Sequence, residues 1–457
     1  MTSRRLLTVL ALSAIHSLLS ITAHAQGSLT PPGAPAPTMK TLDQVEARTP
    51  VDATHTPGDG DSLFVISQSG SYYLTGSITG VAAKHGIKIT APYVTLDLGG
   101  FTLTGIAGSL SGIQVPGATP GLAISNGTVA GWKSHGIAAT QADDSIYEYL
   151  HLQNNGTVNG SHSGLTGGGN CLLRDCTFEN NAGNGLTLLT GCSVASCYAW
   201  QNAGTGVNLG AKCMARSVQC RKNTLLGLNT GAGSLISSCE ALDNEATGIT
   251  AGEGSLVFAT RSTGNKFYGI FTGQGCRVAD CTSYGNGTTT THTGILTGAQ
   301  CQVSGCIANF NTGDGVRTGA QCRVTDVIAR TNGNGVAGRG IVTGIRSTVS
   351  GSTVTGHGAN GILVAGDCIV RRCRADANGG ISAAHGIHST GSGSLIEDNT
   401  TSSNTGYGIL CDGGAGADTI VRNVSTSNAT GNYSPASGTQ FGPLQAPNTA
   451  TSPFANF

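Results

Sequence analysis

Gly185-Leu186-Thr187-Leu188-Leu189-Thr190-Gly191-Cys192-Ser193-Val194-Ala195-Ser196-Cys197-Tyr198-Ala199-Trp200-Gln201-Asn202-Ala203-Gly204-Thr205 runs straight into Gly206-Val207-Asn208-Leu209, and the same phrase begins again. A glycine followed by Ile, Leu or Val recurs at Gly164, Gly185, Gly206, Gly227, Gly248, Gly269, Gly294, Gly315, Gly340, Gly361, Gly386 and Gly408. The steps are 21 residues, widening to 25 three times and to 22 at the end, so insertions are confined to particular turns. A fixed period of this length marks a solenoid, whose units bury their apolar faces only by stacking.

Taking each glycine as position zero, position 1 is apolar throughout, and position 3 is apolar or Thr. Position 7 is Cys or Ser, position 9 is Val, Leu or Ile, position 12 is often Cys, and position 14 is small or medium. Residues two apart share one face of a strand, so these positions predict three short strands per turn around a shared core. Position 17 carries Asn181, Asn202, Asn223, Asn244, Asn265, Asn286, Asn311, Asn332 and Asn378. Asn tolerates the left-handed backbone of a tight turn, and stacked Asn side chains can also bond from turn to turn as a ladder.

This pattern resembles the right-handed parallel β-helix repeat of the pectin-lyase-like superfamily, with its internal asparagine ladder. The likeness covers roughly residues 62–428. Earlier, longer rungs show at His85-Gly86-Ile87, Ser111-Gly112-Ile113 and His135-Gly136-Ile137. The fold expected is all-β, a right-handed parallel β-helix of about 15 rungs with three short strands per rung. At ~4.8 Å per rung this is a rod of roughly 70 Å. Gly70-Ser71-Tyr72-Tyr73-Leu74 and Val94-Thr95-Leu96-Asp97-Leu98 look like the opening rung. Leu29 to Met39 and the terminal Ala455-Asn456-Phe457 are similar to the ends of exported bacterial β-helix proteins of unassigned activity.

The ends read differently from the middle. Arg4 and Arg5, a mostly apolar run from Leu6 to Ile21 and Ala23-His24-Ala25 read as a signal peptide over residues 1–25, so the chain is expected to be secreted or held at the cell surface. Residues 26–61 are a Pro-rich linker, 62–430 the helix, and 431–457 a C-terminal tail that could cap the last rung. The chain has 71 Gly, 11% charged and 5% aromatic residues, suiting short strands and tight turns better than a compact core. It has 24 basic and 24 acidic residues, and losing Arg4 and Arg5 leaves 22 basic. No basic excess invites nucleic acid, and no later apolar run is long enough for membrane insertion.

Fifteen cysteines in an exported chain suggest disulfides. Their register favours stacked thiols filling the core, because they alternate with Ser and Thr at inward positions. The rival is a bridge within one rung, such as Cys171–Cys176 or Cys301–Cys306. Zinc is not expected, since no C-x2-C pair occurs.

For catalysis, the resemblance directs attention to the galacturonase branch and its motifs. Asp143-Asp144 and Gly356-His357-Gly358 lie about nine rungs apart, roughly 43 Å, whereas inverting hydrolysis needs its carboxyl groups ~6.5–9.5 Å apart. Asn311-Thr312-Gly313-Asp314 departs from the family's Asn-Thr-Asp, Arg-Ile-Lys is absent, and His357 occupies the ladder position. Pectate lyases hold calcium between Asp residues on neighbouring rungs. Position 11 offers Asp175, Asp280 and Asp326, but Gly305 separates the last two. No cofactor is predicted, and calcium would enter only for a lyase.

Two outward groups remain. Asp314, Arg317, Arg339, Arg346, His385 and His388 are candidates to line a shallow groove suited to sugar acids. Asp143, Asp144, Tyr147 and Glu148 are candidates for a carbohydrate-binding loop. The regular rungs and missing acid pairs favour an extracellular scaffold or carbohydrate-binding protein without a catalytic site, with polysaccharide as its partner. The alternative is a polysaccharide lyase, glycoside hydrolase or epimerase, which rests on fold-level analogy alone.

Overall fold

The computed structural model describes residues 47–157, 162–333, 337–380, 383–413 and 417–457. The expected signal peptide, residues 1–25, and residues 26–46 of the expected linker lie outside the described residues. Residues Thr49–Phe457 form one compact unit.

Every named element is a β-strand, and successive turns pair in parallel. The first face is a ladder of strands from Ser62–Ile66 to Gly431–Ser434, each hydrogen-bonded to its counterpart one turn on. A second face carries positions 8–10, as in Ser193–Ala195, and a third carries positions 13–15, as in Tyr198–Trp200. This is the parallel β-helix that the resemblance implies. It has seventeen rungs rather than about fifteen. The extra two are the end strands, Ser62–Ile66 and Gly431–Ser434, which lack the Gly-apolar pair because each has a neighbour on one side only. In two early rungs the second and third strands run together, as Ala123–Ala130 and Ile146–Gln153.

The corners obey a five-residue rule. Positions 6, 11 and 16 adopt positive φ, as at Lys212 (58°), Ser217 (52°) and Lys222 (52°), and the same three places recur in each regular rung. One left-handed residue turns the chain between strands, so strands of three residues leave room for little else. The asparagine at position 17 is not the left-handed residue, contrary to one of its two expected roles. Its neighbour at position 16 is.

The ladder is the role that position 17 does fill. Asn202 donates from its backbone N–H and from Nδ2 to Oδ1 of Asn223 (3.1 and 2.9 Å), while Nδ2 also donates to the Phe178 carbonyl (3.0 Å). The chain of bonds starts at the buried Trp132, whose N–H donates to Asn155 Oδ1, and continues through Asn181 to Asn332. It then passes through His357 to Asn378, Asn404 and Asn428. These side chains are buried except that of Asn428 at the end, which is half-buried. The glycine beat follows from them: a Cβ on Gly206 would meet Asn223 Nδ2 at 2.6 Å and the Gly227 carbonyl at 2.8 Å.

Position 7 forms a second ladder, and it explains the cysteines. Cys171 N–H donates to Cys192 Sγ, Cys192 N–H to Cys213 Sγ, Cys213 N–H to Ser234 Oγ, and Ser234 N–H to Ser255 Oγ. Thiol and hydroxyl alternate because each offers an acceptor one bond beyond Cβ. All fifteen cysteines are free and buried. Burial pushes Cys239 and Cys373 up to about 11, so both stay protonated at neutral pH.

Both ends of the rod are covered. Thr49–Pro50, within the Pro-rich segment, pairs with Tyr72 and Tyr73. Pro57, which has no N–H to offer, lies antiparallel to Phe64 on the outermost first-face strand. In the tail, Gln440–Phe441 extends the second face, and Asn456 Oδ1 accepts from the N–H of Asn423, continuing the column Cys373, Asn399, Asn423.

Replacing Cys192 separates an acceptor from mere filling. Cys192→Ser keeps a partner for the Cys171 N–H and should change stability little. Cys192→Val fills the same space but orphans that buried N–H, which costs on the order of 1–3 kcal/mol. Thermal melts of the two variants check this, and equal melting temperatures would contradict the ladder.

Candidate functional site

Asp314 and Arg339 precede their glycines, while Arg317 and His388 occupy position 2, all on the first face. Register places Arg317, Val342, Leu363 and His388 in one column over successive rungs. The six groove candidates form two clusters and one outlier.

The first cluster is built on Asp314, which is buried although it is charged. Its carboxylate accepts from Arg317 Nε (2.8 Å), from Arg339 Nε (3.0 Å) and Nη2 (3.2 Å), and from the Arg339 backbone N–H (2.9 Å). One carboxylate against two guanidiniums leaves a net positive charge at the surface. A buried carboxylate is stable only with such partners.

A pocket of about 460 Å³ opens beside this cluster, lined by Tyr268, Thr290, Thr291, Leu296, Arg317 and Arg339 among others. Tyr268, the aromatic residue in its lining, belongs to a four-ring group. Phe267 and His292 lie 4.7 Å apart, and Tyr268 stacks on Phe271 at 5.8 Å and meets His292 edge-on. Phe267 and Phe271 are 45% and 38% exposed. His292 stands in the four-residue insertion that widens the step from Gly269 to Gly294. The insertion is tied down: Thr312 Oγ1 donates to the Gly287 carbonyl, and Gly313 N–H to the His292 carbonyl. The step from Gly315 to Gly340 holds the next insertion, and Ala337 from it also lines the pocket.

The second cluster lies three rungs from Arg317, about 14 Å along the rod. His385 N–H donates to Asn360 Oδ1 (2.8 Å), which turns Asn360 Nδ2 toward His388 Nδ1 (3.0 Å). His388 therefore carries its proton on Nε2, which faces Asp412 Oδ2 at 2.6 Å. His385 Nδ1 accepts the Tyr407 N–H (2.9 Å), and its ring stacks on Tyr407. Both imidazole lone pairs are taken, as is the Asp314 carboxylate.

Arg346 belongs to neither cluster. It is the left-handed residue of a corner and pairs loosely with Asp367 at 3.7 Å, both more than half exposed. The expected loop site is also revised. Tyr147 is fully buried in the core, and it lies in the eight-residue strand Ile146–Gln153, not in a loop. Asp143 accepts the Gly169 N–H (2.6 Å), Asp144 is a corner residue, and Glu148 pairs with Arg174 (2.8 Å). From Asp280 to Gly351 position 11 alternates Asp and Gly for a steric reason. A Cβ on Gly305 would lie 2.4 Å from Asp280 Oδ1, and one on Gly351 equally close to Asp326 Oδ1. The carboxylates of Asp280 and Asp326 thus stand two rungs apart.

No family model matches the chain, and no curated protein matches it. Among solved structures it is similar to the mannuronan C-5 epimerase A-module of Azotobacter vinelandii, at 12% identity and a TM-score of 0.27, covering 85% of this chain and 91% of that one. It is also similar to a pectate lyase, at 12% identity and a TM-score of 0.30, covering 86% and 73%. Tailspike protein 3 of bacteriophage CBA120 gives 10% identity and a TM-score of 0.39, covering 78% of this chain and 56% of the tailspike. The fold rests on the strand register, not on these likenesses.

His357 yields a pH prediction. It is buried, with Nδ1 accepting the Asn332 N–H (3.1 Å) and Nε2 facing the Ala329 carbonyl (3.0 Å). Burial pushes it down to about 4. The folded protein keeps this imidazole neutral while the unfolded chain takes a proton near pH 6.5. Stability is therefore full above about pH 6.5 and falls by on the order of 3 kcal/mol as pH drops to about 4. His357→Asn restores the residue used elsewhere in the ladder and should flatten the loss, as read by denaturant titrations at pH 7 and pH 4.5.

Proposed function

We propose that this protein is an exported β-helix that binds an acidic glycan on its first face and does not cleave it. The observation that carries the reading is one pocket lined by the ring of Tyr268 and by two arginines held by the buried Asp314. Aromatic faces pack on the apolar faces of sugar rings, and a guanidinium fork suits a carboxylate. Asp314 and the second-cluster histidines serve as fixed partners in this reading, since their acceptor positions are occupied. The Arg4–Arg5 start and Ala23-His24-Ala25 support export, which N-terminal sequencing of the mature protein would test through a start at Gln26.

The functional test is incubation of the purified protein with polygalacturonate, alginate and neutral dextran, reading retention and product release together. The reading expects retention of an acidic polymer without new reducing ends or unsaturated products. R317Q/R339Q should weaken binding at least about tenfold, since a hydrogen bond to a charged group is worth about 1.5–3 kcal/mol. Product release that His388→Ala abolishes would assign the protein to the enzymes instead. Failure to retain any of the polymers would leave a scaffold.

A further inference from the structure

Net charge near zero hides a segregation of charge on the second face. Its outward positions are 8 and 10. Over the nine rungs that start at Gly185 through Gly361, the charged residues at these positions are Arg216, Arg277, Arg323 and Arg371. All four are exposed, and no acid shares their positions there. The rungs between carry Ser237, Gln302, Ser304, Thr348 and Ser350, together with apolar side chains such as Leu235 and Phe258.

The register makes this a band two columns wide along the rod, with Arg277 and Arg323 at position 8 and Arg216 and Arg371 at position 10. Arg277 stands opposite Gln302, Gln302 opposite Arg323, and Arg323 opposite Thr348; Ser350 stands opposite Arg371. Arg277, Arg323 and Arg371 are thus two rungs apart, or about 10 Å, and Arg216 lies three rungs before Arg277, about 14 Å. Like charges directly opposite one another on a sheet repel, and the alternation avoids that while letting positive charge accumulate.

The ends of the band are neutralised and its middle is not. Arg174 pairs with Glu148 on one side, and Glu397 pairs with Arg422 on the other. None of the four middle arginines is ion-paired with a described residue. Glu397 stands opposite Arg371 and is engaged by Arg422, while Asp280 and Asp326 lie at the adjoining corner, with their carboxylates turned over Gly305 and Gly351.

We propose that the second face binds a linear polyanion of sparse charge lengthwise, a polysaccharide with one anionic group per disaccharide. Each arginine offers a fork to one anion, and the hydroxyl and amide side chains between them meet neutral sugar. A nucleic acid fits less well, since its phosphates follow one another at about 3.4 Å per strand. This inference uses no residue of the first-face pocket and stands or falls apart from it.

Hyaluronan is the probe, carrying one carboxylate per disaccharide, immobilised and tested at low and at high salt. The expected result is retention at low salt that salt releases. R216Q/R277Q/R323Q/R371Q should bind at least tenfold more weakly, while R346Q, at an exposed corner outside both clusters, stays within twofold of the parent. The four side chains are exposed, so far-ultraviolet circular dichroism and the melting temperature should be unchanged; R323Q alone, expected to bind about threefold more weakly, tests the same point. The proposal is overturned if the parent is not retained at low salt, if the fourfold variant binds like the parent, or if single-stranded DNA of equal charge binds tenfold more tightly than hyaluronan.

Discussion

The asparagine amide at position 17 is the interaction on which the rest of the architecture depends. One Oδ1 takes both the backbone N–H and the side-chain N–H of the rung before it, and the same side chain donates to a carbonyl on the previous turn. A buried amide left unpaired would cost several kcal/mol in an apolar surround, so each rung is held to one register by its neighbours. The glycine beat is the steric shadow of this column, because the amide lies where a Cβ would otherwise sit. Where His357 replaces Asn, it repeats the bond to the preceding N–H, and the column continues.

Two further columns complete the interior. Cysteine and serine at position 7 answer one N–H per rung, and late in the helix position 12 turns from cysteine to Asn399, Asn423 and Asn456. The thiols read best as small acceptors in apolar surroundings. Satisfying the inner groups in this way leaves the outward positions free to vary. On the first face that freedom is used beside the insertions, where Tyr268 lines one pocket with Arg317 and Arg339.

How much was legible follows from which positions repeat. The fold was, because inward residues recur and register is their joint property. Asn155, Asn404 and Asn428 escaped notice because insertions shift them off the beat, yet they extend the ladder. The left-handed corners at positions 6, 11 and 16 were hidden because Ser, Asp, Lys, Gly and Phe all serve there, and backbone conformation leaves no uniform side chain. The pairing of Asp314 with both arginines was partly visible, since all three were expected on one face. Tyr147 and Arg346 were misplaced: local composition cannot tell which way a side chain points in a rung whose strands have fused, or which residue forms a corner. The ring group around Tyr268 was missed because its members sit at outward positions that do not repeat, and only His292 stands in the insertion of a 25-residue step.

Native-state hydrogen exchange at the backbone amides of Asn202, Asn223, Asn244 and Asn265 tests the central claim most directly. If the amide column holds the rungs in register, these N–H groups exchange only through global unfolding, at one common and slowest rate. Asn244→Ala should then speed exchange at Asn223, whose N–H it orphans, more than at Asn286. Exchange at the ladder amides as fast as at the corner residues Lys222 and Asp243 would contradict the account.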